Sequence, residues 1–259
     1  MKITRESIVG NLFGAIAVAA LLAACSAPVA ERKPRQALFI GVDVSGSFHQ
    51  SGYFDDAMTF LAYYIYGHLN ELGGLPPPRE LFVGSIGGKD SAEPKAFHPI
   101  HDFNGKSVPE IEAQLREWFV PVDSFTDFNP FIQQVARITK ERGLTLAPIT
   151  VMIISDGVPD TPMPAGQTGP ESLYERIDLK PLEYLSRNLT LRIAYASPKV
   201  GEKWRKHIPR QRVRLWAVEG EVMKGWSKQV EPEADPAGQE KLWKWVRDNV
   251  DYRVRSISG

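Results

Sequence analysis

Residues 37–47 read ALFIGVDVSGS, an apolar run that stops at an aspartate and turns through serines and a glycine. Such a run, bounded by turn residues, is the pattern of a strand buried on both faces. A second run of the same kind, ITVMII at 149–154, ends in Ser155-Asp156-Gly157. Segments of helical character lie between and beyond the two. Residues 54–72, rich in Tyr and Leu, stop at Gly73-Gly74 and then Pro76-Pro77-Pro78. Residues 108–119 place Pro109 near a first helical turn, and 130–142 follow Asp127 and Asn129 as candidate caps. Further strands are predicted at 80–86, 95–100, 189–196 and 213–218, and further helices at 179–187, 201–207 and 239–249. No internal repeat or low-complexity tract interrupts the alternation. Strands alternating with helices predict an α/β fold: a doubly wound, mostly parallel open sheet with helices on both faces.

In that architecture ligands sit in the crevice at the carboxyl ends of the strands. Small oxygen-bearing residues stand at three such places. Asp43, Ser45 and Ser47 alternate after the first strand, and Gly46 permits a tight turn there. Thr126-Asp127 precede the helix at 130, and Asp156 follows the ITVMII strand. Two carboxylates and three hydroxyls make a hard, all-oxygen shell that suits Mg²⁺.

Asp-x-Ser-x-Ser after the first strand, Thr-Asp mid-chain and Asp-Gly after a buried strand resemble the von Willebrand factor A domain. The resemblance spans residues 37–249 and implies a Rossmann-like fold with a metal-ion-dependent adhesion site. It implies Ser45, Ser47 and Thr126 as hydroxyl ligands, with Asp43 and Asp156 holding the ion directly or through water. The ion would be Mg²⁺, with Mn²⁺ or Ca²⁺ as alternatives, and a protein partner's acidic side chain would complete its shell. Two departures stand out. Ser124-Phe125 occupy positions where the family often has Gly-Gly, and the loop after Asp156 (157–170, GVPDTPMPAGQTGP) is long and rich in Pro and Gly.

The first residues describe a leader. Lys2 and Arg5 precede an apolar, Ala-rich stretch ending in Leu22-Ala23-Ala24-Cys25. The stretch is short and Ala-rich for a membrane span, and fits a secretory signal. Its end resembles the bacterial lipobox, in which the cysteine thiol is lipidated and cleavage follows just before it. Cys25 is the chain's only cysteine, so no internal disulfide competes for it. The expected organisation is a signal peptide at 1–24, lipidated Cys25 with a tether through residue 36, and one domain over 37–259. The tether at 26–36 reaches about 36–40 Å when extended. Ser26 after the cysteine resembles the pattern exported to the outer membrane, which would place the domain in the periplasm, anchored by lipid.

Charge narrows the partners. Without Lys2, Arg5 and Glu6 the 31 basic and 31 acidic residues become 29 and 30, a net −1. That balance supplies no field for nucleic acid. No Gly-x-Ser-x-Gly elbow, Gly-x-Gly-x-x-Gly or phosphate loop is present, so neither a nucleotide cofactor nor an enzyme is expected. His49 reads as a helix-start residue on a polar rim, His98 and His101 as surface residues, and the basic stretch 199–214 as a solvated face. Trp243 and Trp245 sit on different helical faces, so at most one is needed in the core. The function expected is metal-dependent binding of an acidic protein group in the cell envelope. A metal-assisted hydrolase or phosphoesterase, using the ion as a Lewis acid, and a purely structural envelope subunit are the alternatives.

Overall fold

A computed structural model describes residues 35–87, 96–122, 125–162, 169 and 171–252. The leader, Cys25 and most of the tether therefore lie outside the described residues. Six strands form one sheet: β1 (Gln36–Asp43), β2 (Pro78–Ile86), β3 (Phe97–Pro99), β4 (Ile149–Ile154), β5 (Leu189–Ala196) and β6 (Arg214–Glu219). The helices are α1 (Gly46–Gln50), α2 (Phe54–Leu69), α3 (Val108–Trp118), α4 (Asn129–Glu141), α5 (Glu171–Glu175), α6 (Pro198–His207), α7 (Gly220–Met223) and α8 (Glu240–Asn249). Strand order is β3-β2-β1-β4-β5-β6, parallel throughout except that β3 runs antiparallel to β2. This is the doubly wound α/β architecture, with its order reversing at β1. Among the described residues no helix is long and apolar enough to cross a membrane.

Side chains alternate across β1, so one strand feeds two cores. Leu38, Ile40 and Val42 pack with residues of α2, α3 and α8, while Ala37 and Phe39 pack with residues of α4 and α6. β4 divides in the same way, Met152 and Ile154 against Val151 and Ile153. Both faces are thus covered, which explains why the central strands read as continuous apolar runs. Gly41 faces α4 where no side chain fits: a β-carbon there would meet Ile86 Cδ1 at 2.5 Å and Phe131 Cζ at 2.8 Å.

Several expectations need correction. β1 begins at Gln36, one residue earlier than read, and the Gln36 side chain is buried. Its amide donates to the Pro76 carbonyl (3.3 Å) and accepts from Thr150 Oγ1 (3.0 Å), so Gln36 is part of the folded domain. α2 stops at Leu69 rather than 72, because Glu71 takes a left-handed conformation (φ 56°). The helix read at 179–187 is only a 3₁₀ turn, Lys180–Leu182. Leu179, Leu182 and Leu185 recur every three residues and are all buried, a spacing that irregular turns satisfy as well as a helix does. Glu183 leaves the turn to accept the Gln211 and Val213 N–H groups at 2.7 and 3.2 Å. His98 is not a plain surface residue: it is half-buried on β3, its ring stacked on Trp118 with centroids 3.5 Å apart.

Other readings match. His101 is largely exposed, Trp243 is buried and Trp245 half-buried. In the basic stretch Lys203 and Arg212 lie over the rings of Tyr174 and Tyr184, each at 5.5 Å.

Candidate metal centre

The carboxyl ends of β1 and β4 are adjacent, since the two strands pair from Ala37↔Ile149 to Val42↔Ile154. Asp43 ends β1 with no exposed surface. Its Oδ1 accepts the Ser45 N–H at 2.9 Å and its Oδ2 accepts the Ser155 hydroxyl at 2.6 Å. Those bonds turn the chain sharply after the strand and start α1, where Ser45 takes the N-cap position. The capping places Ser45 Oγ 3.2 Å from Ser47 Oγ. The Ser47 hydroxyl in turn hydrogen-bonds Asp156, half-buried beyond β4. Asp156 Oδ1 accepts the Val158 N–H at 2.9 Å.

Thr126 arrives by backbone pairing from both sides. Val122 N–H donates to the Val44 carbonyl at 2.8 Å, and Ser45 and Val122 form a parallel bridge. The Asp160 N–H donates to the Thr126 carbonyl at 3.0 Å, stitching this loop to the one after Asp156. Thr126 is fully buried, yet among the described residues its hydroxyl has no hydrogen-bond partner. An unsatisfied buried hydroxyl costs on the order of 1–3 kcal/mol, which makes this atom a candidate ligand for a cation. Asp127, expected as a cap, accepts the Asn129 N–H at 2.9 Å, while Phe128 holds the cap position itself.

Asp43, Ser45, Ser47 and Asp156 thus form one hydrogen-bonded set, and Thr126 is paired through its backbone with Asp160 on the loop after Asp156. Burial pushes the Asp43 carboxyl up to about 6, against hydrogen bonds from Ser155 and Ser45 and with help from the Asp156 charge. Burial also raises Asp156. A divalent cation bound to these carboxylates would favour their charged forms and oppose both shifts. The donors are all oxygen; among the described residues no group of three or more His, Cys, Asp or Glu gathers in a metal-holding arrangement. The residues therefore fit a small hard cation.

Sequence reasoning passed over Ser155 as a member of the set. Its hydroxyl donates to Asp43 and accepts the Gly157 N–H at 2.8 Å, coupling the ends of β1 and β4. The signal was its place beside Asp156 at a strand end. Gly157 is the hinge of this loop: φ is +75°, its carbonyl accepts Trp204 Nε1 at 2.6 Å, and a β-carbon would meet Val200 Cγ1 at 3.0 Å. Gly157→Ala is expected to lose about 1–3 kcal/mol of stability, read as a lowered melting temperature; an unchanged melt would contradict this account of the turn.

No protein-family model matches the chain, and no curated protein matches it in sequence. Solved structures do match it in shape. One is the SpRpn10 VWA domain, at 12% identity over 79% of this chain and 93% of that one, TM-score 0.44. Another is the manganese-loaded Plasmodium vivax TRAP protein, at 15% identity, 73% and 70% coverage, TM-score 0.47. A third is proximal thread matrix protein 1 from the mussel byssus, at 14% identity, 77% and 48% coverage, TM-score 0.42. This chain spans about half the length of the mussel protein.

Proposed function

We propose that the chain is a lipid-anchored envelope protein whose von Willebrand factor A-type domain holds a divalent cation and, through it, an acidic side chain of a protein partner. Ser45, Ser47, Thr126 and Asp156 would hold Mg²⁺, Mn²⁺ or Ca²⁺. Asp43 would act directly or through water, since each of its oxygens already accepts a hydrogen bond. The observation that carries the reading is the hydrogen-bonded set of Asp43, Ser45, Ser47 and Asp156 at the adjoining ends of β1 and β4, together with a buried Thr126 hydroxyl that has no hydrogen-bond partner among the described residues. When bound, the cation supplies a positive centre that a carboxylate from outside can complete. Cys25, the tether and the outer-membrane position belong to the same proposal and rest on the leader's sequence.

Proton linkage supplies a test. The folded Asp43 binds a proton up to about pH 6, whereas its ordinary value is 3.8. Between those values the folded chain holds a proton that the unfolded chain has released. Metal-free stability therefore falls as pH rises through that window, by on the order of 3 kcal/mol at most. A cation favours the deprotonated form, so its affinity is expected to weaken roughly tenfold per pH unit below about 6. Melting curves with and without Mg²⁺, run well below and well above that pH, are expected to show the Mg²⁺ gain only in the higher range. An equal gain in both would contradict the assignment.

A further inference from the structure

The parallel strands β1, β4, β5 and β6 all begin at the end of the sheet opposite the candidate centre. Three loops meet there and are bonded to one another. The Ala37 N–H donates to the Pro148 carbonyl, and the Ile149 N–H to the Asn188 carbonyl, each at 2.9 Å. Ser186 Oγ donates to the Ala147 carbonyl at 2.7 Å. Glu183 accepts the Gln211 and Val213 N–H groups, and the Tyr184 hydroxyl donates to Gln211 Oε1 at 3.1 Å. The loops before β4, β5 and β6 therefore form one continuous surface with the start of β1, where the tether enters the domain.

That surface is apolar at its tips and basic around them. Leu146 stands in a tight turn closed by the Ala147 N–H on the Leu144 carbonyl (3.0 Å), and it is 97% exposed. Tyr184, 72% exposed, lies on the neighbouring loop with the Arg212 guanidinium 5.5 Å from its ring centre. Arg35, Arg142, Arg187 and Arg212 are exposed in the same segments. Among the described residues the arginine ion pairs are those of Arg116, Arg137, Arg192 and Arg247, so these four face no carboxylate. The carboxylates of these loops are already engaged. Glu141 pairs with Arg137 at 3.3 Å, and buried Glu183 holds backbone N–H groups. The opposite end of the sheet carries Asp43 and Asp156, where β1 and β4 finish. A net charge near zero thus conceals a basic end and an acidic one.

We infer that this basic, apolar-tipped end is a bilayer-contact surface, on which Leu146 and Tyr184 enter the headgroup region and the arginines bind anionic phosphates. The inference rests on the lipid-anchor reading and adds to it an orientation. Connectivity selects the occupant, because a tether that runs into β1 at Gln36 brings the bilayer to this end of the sheet first. Chemistry agrees with it. Tyrosine suits the interfacial layer, with its ring against acyl chains and its hydroxyl in water, and basic side chains near an anionic surface add to attachment. Leucine gains by leaving water for that layer. The eight residues of β1 then hold the candidate centre about 25 Å from the contact, on the side away from the bilayer.

The test uses the full lipoprotein, added to preformed vesicles of phosphatidylethanolamine with phosphatidylglycerol, or of phosphatidylcholine alone. Cys25 is the chain's only cysteine, so once it is acylated the thiol of Leu146→Cys is the one that takes a fluorophore. On the anionic vesicles that probe is expected to be quenched by nitroxide-labelled lipid and shielded from aqueous iodide. On phosphatidylcholine it is expected to stay open to iodide. The same probe on Val158→Cys, beyond the far end of β4, is expected to meet iodide on both. Adding Arg142→Gln, Arg187→Gln and Arg212→Gln to Leu146→Cys is expected to lower the ratio of docked to undocked domain roughly fivefold per arginine, with the melting temperature kept. Residue 146 open to iodide on anionic vesicles, or docking unchanged by the three glutamines, would overturn the proposal. So would shielding from iodide without quenching by labelled lipid, the result expected if a protein or a second copy covers this face. Failure of the anchor reads differently: the parent chain would itself take the fluorophore at Cys25 and would not float with vesicles, overturning the anchor and this orientation together.

Discussion

Thr126→Val is expected to raise the melting temperature of the metal-free protein while removing most of the gain that Mg²⁺ brings. The two signs are opposite because one atom is responsible for both. The Thr126 hydroxyl is buried without a partner among the described residues, and Val replaces it with an apolar group of the same shape. Relief of an unsatisfied buried hydroxyl is expected to add about 1–2 kcal/mol, which in a domain of this size moves the melt by a few degrees. In the wild type, Mg²⁺ at about 100 times its Kd contributes about 2.7 kcal/mol, and the variant forfeits a ligand to that ion. Asp156→Ala is expected to remove the Mg²⁺ gain entirely while keeping the fold, since Asp156 lies beyond the end of β4 rather than in either core. Thr139 provides the control: its hydroxyl is likewise buried and without a partner among the described residues, but it lies in the last turn of α4 and not among the proposed ligands. Thr139→Val is expected to raise stability and leave the Mg²⁺ gain untouched. Melting curves of the four proteins with and without Mg²⁺ decide the matter, and a full Mg²⁺ gain in Thr126→Val would remove Thr126 from the site.

The second large effect concerns the anchor. Cys25→Ser is expected to abolish lipid labelling and leave an unprocessed precursor. A serine hydroxyl is a far weaker nucleophile than a thiol and does not take the diacylglyceryl group, and without that group the cleavage step lacks its substrate. One acyl chain holds a protein only marginally, whereas two give stable attachment, so the loss is nearly all-or-none. Metabolic labelling with a radioactive fatty acid, followed by sizing of the protein, reads both outcomes. Cleavage at the usual place, giving a soluble product with wild-type behaviour, would contradict the lipoprotein reading.

Much of the fold was legible because the central strands announce themselves. The runs at 149–154 and 189–196 match β4 and β5 residue for residue: strands covered on both faces are mostly apolar, with Thr150 and Arg192 the buried polar exceptions, and turn residues bound them. Asp43, Ser45, Ser47 and Asp156 were legible as a group for the same reason, since they follow strands whose ends must lie side by side. What stayed hidden depends on distant partners. Nothing local in 179–187 says that Glu183 will leave to bind backbone N–H groups of residues 211 and 213. Nothing local says that Tyr195 will adopt φ +80° at the end of β5, a strained position for a bulky residue. It is held there by its hydroxyl, which donates to Asp56 at 2.7 Å, an interaction between positions 139 residues apart. The backbone pairings of Val122 with Val44 and of Asp160 with Thr126 were hidden likewise.

The central claim is that these oxygens hold one divalent ion. Equilibrium dialysis of the full chain against Mn²⁺ at neutral pH, with Asp156→Ala dialysed alongside, measures it most directly. The expected result is one Mn²⁺ per wild-type chain, displaced by excess Mg²⁺, and none on the variant. A wild-type chain that retains no ion, or a variant that retains as much as wild type, would contradict it.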